Sequence, residues 1–140
     1  MADVFTREKR SRIMSSIKGR NTKPEIIVRR SLHAAGYRFR VHAKNLPGKP
    51  DIYFSRRRKA VFVNGCFWHG HEDCRRAALP KTNRKFWRQK IDATKDRDVR
   101  KRAELAKLGI RAFVVWECEL KSNDPVMRKL TDFLGSAKHG

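Results

Sequence analysis

Cysteine and histidine side chains cluster in one short segment, residues 64–74, with the sequence NGCFWHGHEDC. Cys66, His71 and Cys74 lie within it, and the third cysteine of the chain, Cys118, follows an apolar stretch much later. Thiolate and imidazole are the ligands that zinc prefers, and four of them complete the tetrahedral shell of a structural site. We therefore predict a zinc site that joins two distant parts of the chain. The alternative is three buried free thiols and a surface histidine.

A large excess of positive charge indicates the class of partner. Lys and Arg total 35 against 14 Asp and Glu, which gives a formal net charge of +21. A field of this size favours polyanions, nucleic acid first, although it does not separate an enzyme from a structural binder. Since no apolar run approaches a membrane span and the N-terminus lacks a secretory signal, we expect a cytoplasmic protein without a membrane partner.

Hydrophobic periodicity predicts a single α/β domain over residues 1–140. Residues 1–20 are expected to form a basic DNA-contacting arm, either a short amphipathic helix or a mobile segment, and residues 135–140 a flexible tail. A capping box from Thr22 to Glu25 begins a helix that ends before Gly36. Alternation at positions 37, 39 and 41 predicts a half-buried strand.

The rest of the chain continues this mixture of strands and helices. The segments DIYF and AVFVNG predict a hairpin whose second strand is central. The charged stretch over residues 84–108 predicts one long basic helix, because its apolar and small residues recur at near-helical spacing: Trp87, Ile91, Thr94, Val99, Ala103 and Ala106. The strand RAFVVWE and a last helix that reaches Phe133 complete the pattern.

Two residues outside the predicted zinc shell are candidates for chemistry at a phosphate. His69 lies between two zinc ligands, so its backbone would be fixed while its ring stays free to act as a general base. Asp51 opens a strand after a Gly/Pro-rich loop, and a carboxylate among so many cations suits magnesium. A phosphate-binding histidine and a turn-forming aspartate are the alternatives. Glu25 is explained by the capping box alone.

Phe67, Trp68 and Trp87 are aromatic residues in basic surroundings. Stacking on nucleic-acid bases is one use for such rings, and core packing is the usual alternative. Because a tight loop between two metal ligands is hard to bury, we favour base stacking for Phe67 and Trp68.

Five motifs occur in a fixed order from about Phe5 to Leu120: RIMSSIKGRNTKPE, LPGKPD, GCFWHGH, FW(x)2KI and VVWECEL. Together they resemble those of the very-short-patch-repair mismatch endonucleases of bacteria. The resemblance implies a restriction-endonuclease-like α/β core, with a mixed central sheet flanked by helices and a structural zinc site. It also implies a magnesium-dependent enzyme that nicks double-stranded DNA 5′ to the thymine of a T:G mismatch, the lesion left when 5-methylcytosine deaminates.

The resemblance implies roles for individual residues. Asp51 and the main-chain carbonyl of Val63 would hold magnesium. His69 would be the general base, and Glu25 would act near the metal through water. The zinc ligands would be Cys66, His71, Cys74 and Cys118. Residues in contact with DNA would be Phe67, Trp68 and Trp87 as wedges on the major-groove side, Met14 from the minor groove, and Lys90.

The chain departs from the family pattern at two places. Asn64 stands where the family has a second histidine, which bears on proton transfer or contact with the cleaved phosphate. The interval between His71 and Cys74 is one residue longer and contains Glu72 and Asp73. We expect zinc ligation to survive this insertion.

The family pathway implies general mismatch-repair proteins and a cytosine-5 methyltransferase as partners, and one-strand cleavage of an asymmetric lesion suits a monomer. Two other interpretations compete with this one. The chain could be a zinc-stabilised DNA-binding module without catalysis, in which Asp51 and His69 have no chemical role. It could also be a restriction-type or mobile-element nuclease that cleaves paired DNA.

Overall fold

The computed structural model describes residues 22–137, apart from the side chains at positions 122–124. The predicted basic arm, with Met14, and the end of the predicted tail lie outside this range. The described elements are, in order, α1 (Lys23–Ala34), β1 (Arg40–Val41), β2 (Ile52–Phe54), β3 (Lys59–Asn64), α2 (Arg84–Lys107), β4 (Arg111–Trp116) and α3 (Asn123–Leu134). Short 3-10 helices occupy Arg75–Ala77 and Glu117–Ser122.

The strands form one mixed sheet in the order β1-β2-β3-β4. β1 pairs with β2 and β2 with β3 in antiparallel fashion, whereas β3 and β4 are parallel. Val61 in β3 lies opposite Ile52 on one side and Phe113 on the other. The apolar sequence of β3 fits this central position, because a strand covered on both faces has few places for polar side chains. The predicted hairpin and its central second strand are confirmed.

Helices cover both faces of the sheet. α1 and α3 share one face, where the core contains Val28, Leu32, Ile52, Phe54, Val61, Val115, Val126, Leu130 and Leu134. α2 covers the other face, where Leu105 packs with Ala60 and Ile110. Burial of these apolar side chains is the main stabilising contribution to such a fold. The structure therefore confirms a mixed sheet flanked by helices.

The start of α1 follows the predicted capping pattern. The Thr22 side-chain oxygen accepts a hydrogen bond from the backbone N–H of Glu25 at 3.4 Å, and Pro24 lies in the first turn. Gly36, just beyond the helix, has a φ of +97°, a conformation that a residue without Cβ adopts at little cost. The cap places Thr22 and Pro24 at the edge of the main cavity.

The predicted long basic helix is confirmed as α2, but the second half of its apolar spacing does not mark the buried face. Val99 is 58% exposed, and Ala103 and Ala106 are exposed as well. The inner face continues from Ile91 and Thr94 through Asp98, Lys101 and Arg102, which line the main cavity, to Leu105 in the core. This part of the helix covers a cavity rather than the core, so charged residues occupy positions at which we expected apolar ones.

The first strand is shorter than its sequence pattern predicts. Tyr37 is buried and Phe39 packs against the core, but only Arg40 and Val41 pair with β2, and Val41 is 41% exposed. β1 is an edge strand of the sheet, and short edge strands limit unwanted pairing with other chains.

Among the described residues, no helix is long and apolar enough to cross a membrane.

Candidate active site and metal cluster

The main cavity has a volume of about 400 Å³ and opens beside the end of β3. Its walls come from the start of α1, the loop before β2, the segment after β3 and the inner face of α2. Among the lining residues are Thr22, Pro24, His42, Lys44, Lys49, Asp51, Val63, Asn64, Phe67, Trp68, His69, Asp98, Lys101, Arg102 and Glu117. Carboxylates and cations thus share one concave site, the kind of site in which ligands usually bind.

Asp51 lies directly before β2, next to β3. Its Oδ2 accepts a hydrogen bond from the Val63 N–H at 2.7 Å. The N–H and C=O of one residue in an extended strand point to the same edge, so the Val63 carbonyl is directed toward the side on which Asp51 lies. Burial raises the pKa of the Asp51 carboxyl from 3.8 to about 6. The Glu25 carboxylate raises this pKa further. The hydrogen bond from the Val63 N–H lowers it, and so do His42 and His69.

Glu25 has more contacts than the capping interpretation requires. The residue is 1% exposed, and its Oε1 lies 2.5 Å from His42 Nε2 and 3.5 Å from Arg29 Nη1. A carboxylate this deeply buried is stable only with partners that compensate its charge. The capping box therefore does not account for the whole of Glu25, because its carboxylate also belongs to the group of charges around Asp51.

His69 is paired with an aspartate that the sequence analysis did not identify. The Nδ1 of His69 lies 2.6 Å from Oδ2 of Asp98 on α2, and both residues line the cavity. Asp98 lies seven residues after Ile91, at a position of α2 that helical spacing assigns to the buried side. A carboxylate at such a position was the available signal, since acidic residues are rarely buried without a partner.

The turn at Gly70 brings this loop close to α2. Gly70 has a φ of +60°, and a Cβ added there would lie 2.6 Å from Cγ2 of Ile91. A larger residue could be accommodated only if the loop moved away from the helix. Close packing at this glycine therefore keeps His69 within hydrogen-bonding distance of Asp98.

The four predicted zinc ligands come together. One potential ligand atom from each of Cys66, His71, Cys74 and Cys118 lies within 4.8 Å of those of the other three. The Nδ1 of His71 is 3.5 Å from Sγ of Cys118. Burial raises the pKa of the Cys66 thiol to about 12, so a metal that binds here must displace its proton. Three thiol sulfurs and one imidazole nitrogen match the donor set of a structural zinc site.

Neighbouring groups fix the cluster against β4. The Trp116 ring stacks on His71, with centroids 4.1 Å apart and an interplanar angle of 9°. Glu117 Oε1 accepts a hydrogen bond from the Cys66 backbone N–H at 3.0 Å and also lines the cavity. Contacts of this kind orient metal ligands and commonly strengthen metal binding.

Phe67, Trp68 and Trp87 form one aromatic cluster. Their ring centroids are 5.3, 5.4 and 5.9 Å apart in edge-to-face arrangements, and the three side chains are half-buried. Phe86, 56% exposed, extends the cluster at 5.2 Å from Trp87. The exposed Lys90 lies above the Phe86 ring at 6.0 Å from its centroid. The structure thus brings together the predicted DNA-contacting residues that it describes and adds Phe86 to them.

The fold and site define a class of protein: a small α/β protein with a Cys/His cluster beside a carboxylate- and histidine-lined cavity whose cationic walls suit a phosphate ester. A family model described as DNA mismatch endonuclease Vsr matches residues 2–76. The chain is 48% identical over 134 residues to the type II nicking enzyme V.XorIIP of Xanthomonas oryzae pv. oryzae, covering 96% of this chain and 98% of that protein. Identity to the type II nicking enzyme V.NmeAIP of Neisseria meningitidis is 46% over 122 residues, covering 87% and 86%.

The DNA mismatch endonuclease Vsr of Escherichia coli is 39% identical to the chain over 132 residues, covering 94% of this chain and 81% of that protein. The chain therefore belongs to the Vsr family of DNA mismatch endonucleases. This confirms the family that the sequence motifs indicated.

Proposed function

We propose that this protein is a magnesium-dependent DNA endonuclease that nicks one strand 5′ to the thymine of a T:G mismatch and thereby initiates very short patch repair. The observation that carries the proposal is the cavity that Asp51 and the His69–Asp98 pair line together with Lys101 and Arg102. Membership of the Vsr family supports mismatch cleavage. The names of two relatives, both nicking enzymes, support cleavage of one strand.

The residues around Asp51 fit a magnesium ion. Magnesium takes hard oxygen ligands and is usually held by one or two carboxylates together with substrate phosphate. The Asp51 carboxylate would be the main ligand, with the Val63 carbonyl on the same side and Glu25 acting through water. When bound, the ion offsets charge at the scissile phosphate and lowers the pKa of the attacking water.

His69 is the proposed general base. When a neutral imidazole carries its proton on Nδ1, where Asp98 accepts the hydrogen bond, Nε2 is left as the acceptor. Such a ring can remove a proton from water during attack on phosphorus. Lys101 and Arg102 would bind phosphate oxygens from the α2 side of the cavity. His69 would thus remove the proton from water, and Lys101 and Arg102 would bind the phosphate. Nucleases with a restriction-type core often use a D/E-x-K motif, which this chain lacks after Asp51.

The aromatic cluster provides a route to mismatch selectivity. Phe67, Trp68 and Trp87 would insert beside the mispaired bases, and Phe86 and Lys90 would contact the flanking DNA. Unstacking costs least where bases are already mispaired, so a wedge favours the lesion over paired DNA. Met14 would enter from the minor groove.

Zinc is the proposed occupant of the Cys66, His71, Cys74 and Cys118 cluster. It would fix a loop that carries the aromatic residues and His69 next to the catalytic cavity. We also propose that the sheet and helices form a restriction-endonuclease-like core, because Asp51 directly precedes a hairpin strand that pairs with the central strand.

Cleavage of end-labelled duplexes tests the proposal. One duplex carries a T:G mismatch in a CTWGG/CCWGG context, and the other is fully paired. We expect a magnesium-dependent nick only in the thymine strand of the mismatched duplex. Equal cleavage of paired DNA would instead support the restriction-type nuclease, and binding without cleavage would support the non-catalytic module.

Asp98→Asn tests the role of the His69 partner. An amide can present its NH2 group to Nδ1 and favour the other imidazole tautomer, so we expect kcat for nicking to fall roughly 100-fold or more, with little change in KM for DNA. Asp96→Asn, on the exposed side of the same helix, is the matched control. Equal kcat values for the two variants would contradict a positioning role for Asp98.

The remaining parts of the proposal concern the cellular setting. A cytosine-5 methyltransferase that creates the deamination-prone base and general mismatch-repair proteins are the expected partners in the pathway. A single candidate catalytic cavity within residues 22–137 fits a monomer that cuts one strand. The bacterial sources of the relatives agree with a cytoplasmic enzyme that works on chromosomal DNA.

A further inference from the structure

His42 contacts the Glu25 carboxylate through its side chain and the main chain of Asp51 through its backbone. Its Nε2 lies 2.5 Å from Oε1 of Glu25, while its backbone N–H donates a hydrogen bond to the Asp51 carbonyl oxygen at 3.0 Å. The imidazole also lines the main cavity. His42 thus links Glu25 on α1 to Asp51, which directly precedes β2.

The backbone of His42 is held in an uncommon conformation. Its φ is +51°, in the left-handed region that residues with a Cβ seldom occupy. Such conformations persist where surrounding contacts enforce them, and they occur often at functional sites. Here the hydrogen bond to Asp51 and the contact with Glu25 fix both ends of the residue.

Arg29 competes with His42 for the same carboxylate oxygen. The Arg29 Nη1 lies 3.5 Å from Oε1 of Glu25, one helical turn away on α1. Without the imidazole, we expect the guanidinium to draw the carboxylate toward itself, since Arg and carboxylate form strong paired hydrogen bonds. Glu25 would then be neutralised on the helix, and its charge would be turned away from Asp51.

We propose that His42 is a positioning residue that holds the Glu25 carboxylate beside Asp51, so that both carboxylates act on one divalent cation. This inference rests on the proposed function, because it assigns the divalent cation to Asp51. Partners that orient the groups around a metal typically contribute 10–100-fold to metal affinity. Substitution of His42 should therefore change the affinity for the divalent cation and leave the zinc content unchanged.

Binding of Mn2+ alone, measured by the electron paramagnetic resonance signal of the free ion, tests this role without DNA. His42→Gln and His42→Met have side chains of similar length, but only Gln can donate a hydrogen bond to Glu25. We expect the Mn2+ dissociation constant to rise roughly 10–100-fold in the Met variant and to stay within about threefold in the Gln variant. His33→Gln, at an exposed histidine of α1, is the control.

A double-mutant cycle identifies the partner. In a Glu25→Gln background, His42→Met should have little further effect, because the group that it positions is already lost. Full additivity, or an unchanged dissociation constant in His42→Met alone, would overturn the inference. Zinc content and the thermal midpoint of each variant show whether a loss of affinity reflects unfolding.

The outcomes for His42 and for the proposed function are separate. A parent protein that binds Mn2+ in a His42-dependent way but nicks no mismatched duplex would remove the proposed function and support the role of His42. Mismatch nicking with Mn2+ affinity independent of His42 would do the opposite.

Discussion

Replacing Asp51 with asparagine is expected to abolish nicking and, at the same time, to stabilise the magnesium-free protein. The amide keeps an oxygen that can accept the Val63 N–H but loses the negative charge that a hard cation requires. We expect kcat for mismatch nicking to fall by a factor on the order of 10³–10⁵, since little phosphodiester cleavage remains without the metal. DNA affinity without magnesium should be unchanged or slightly higher.

The gain in stability follows from the raised pKa. The Asp51 pKa is about 6 in the folded protein and about 3.9 in an unfolded chain. The folded state therefore retains a proton that the unfolded state loses as the pH rises from about 4 to 6, and stability declines across that window. The side-chain amide of the variant has no such proton to lose, so Asp51→Asn should be more stable by roughly 2 kcal/mol above pH 6.

Urea unfolding in magnesium-free buffer that retains zinc measures the effect. The difference between variant and parent should shrink by more than half between pH 7.5 and pH 4.5. Asp132→Asn, an exposed position on α3, should change neither activity nor the pH dependence. Full activity in Asp51→Asn would exclude Asp51 as the metal ligand, whereas a constant stability difference would exclude its elevated pKa.

Sequence patterns were sufficient for the parts of the fold in which local and tertiary preferences agree. The apolar run in β3 predicted a central strand, and the cap at Thr22 predicted the start of α1. The four-residue Cys/His cluster was also predictable, because three scarce cysteines and one histidine complete a ligand set. In each case the residues concerned have one dominant physical use.

The candidate site was less predictable, because its residues depend on neighbours that are distant in sequence. Glu25 fits a helix cap locally, and only the fold brings His42 to its carboxylate. Asp98 pairs with His69 across the interface between a loop and α2. Apolar periodicity failed on α2 for the same reason: the helix covers a polar cavity, so Val99 faces solvent and Asp98 faces inward.

Removing one side chain of the Cys/His cluster should strongly reduce both stability and nicking. Cys118→Ala removes the proposed ligand that would join the loop after β3 to the segment directly after β4. We expect loss of stoichiometric zinc and a fall in the free energy of unfolding of at least about 3 kcal/mol, because metal binding contributes directly to folding in sites of this type. Nicking should fall by at least about 100-fold, since His69 lies between Cys66 and His71 and would no longer be held against Asp98.

Exchanging one proposed ligand for another distinguishes the effect of losing the metal from the effect of losing a particular side chain. Cys74→His keeps four zinc ligands, as a Cys2His2 set, so it should retain one zinc per chain by elemental analysis and a substantial part of the activity. Cys118→Ala and Cys74→His each remove one thiol, and they differ in whether a fourth ligand remains. If both variants lost activity equally while Cys74→His kept its zinc, the cysteine thiolates themselves would be required. A parent protein that is folded and active without zinc would contradict a structural role for the metal, and the position of His69 would then depend on the packing at Gly70 and on Asp98.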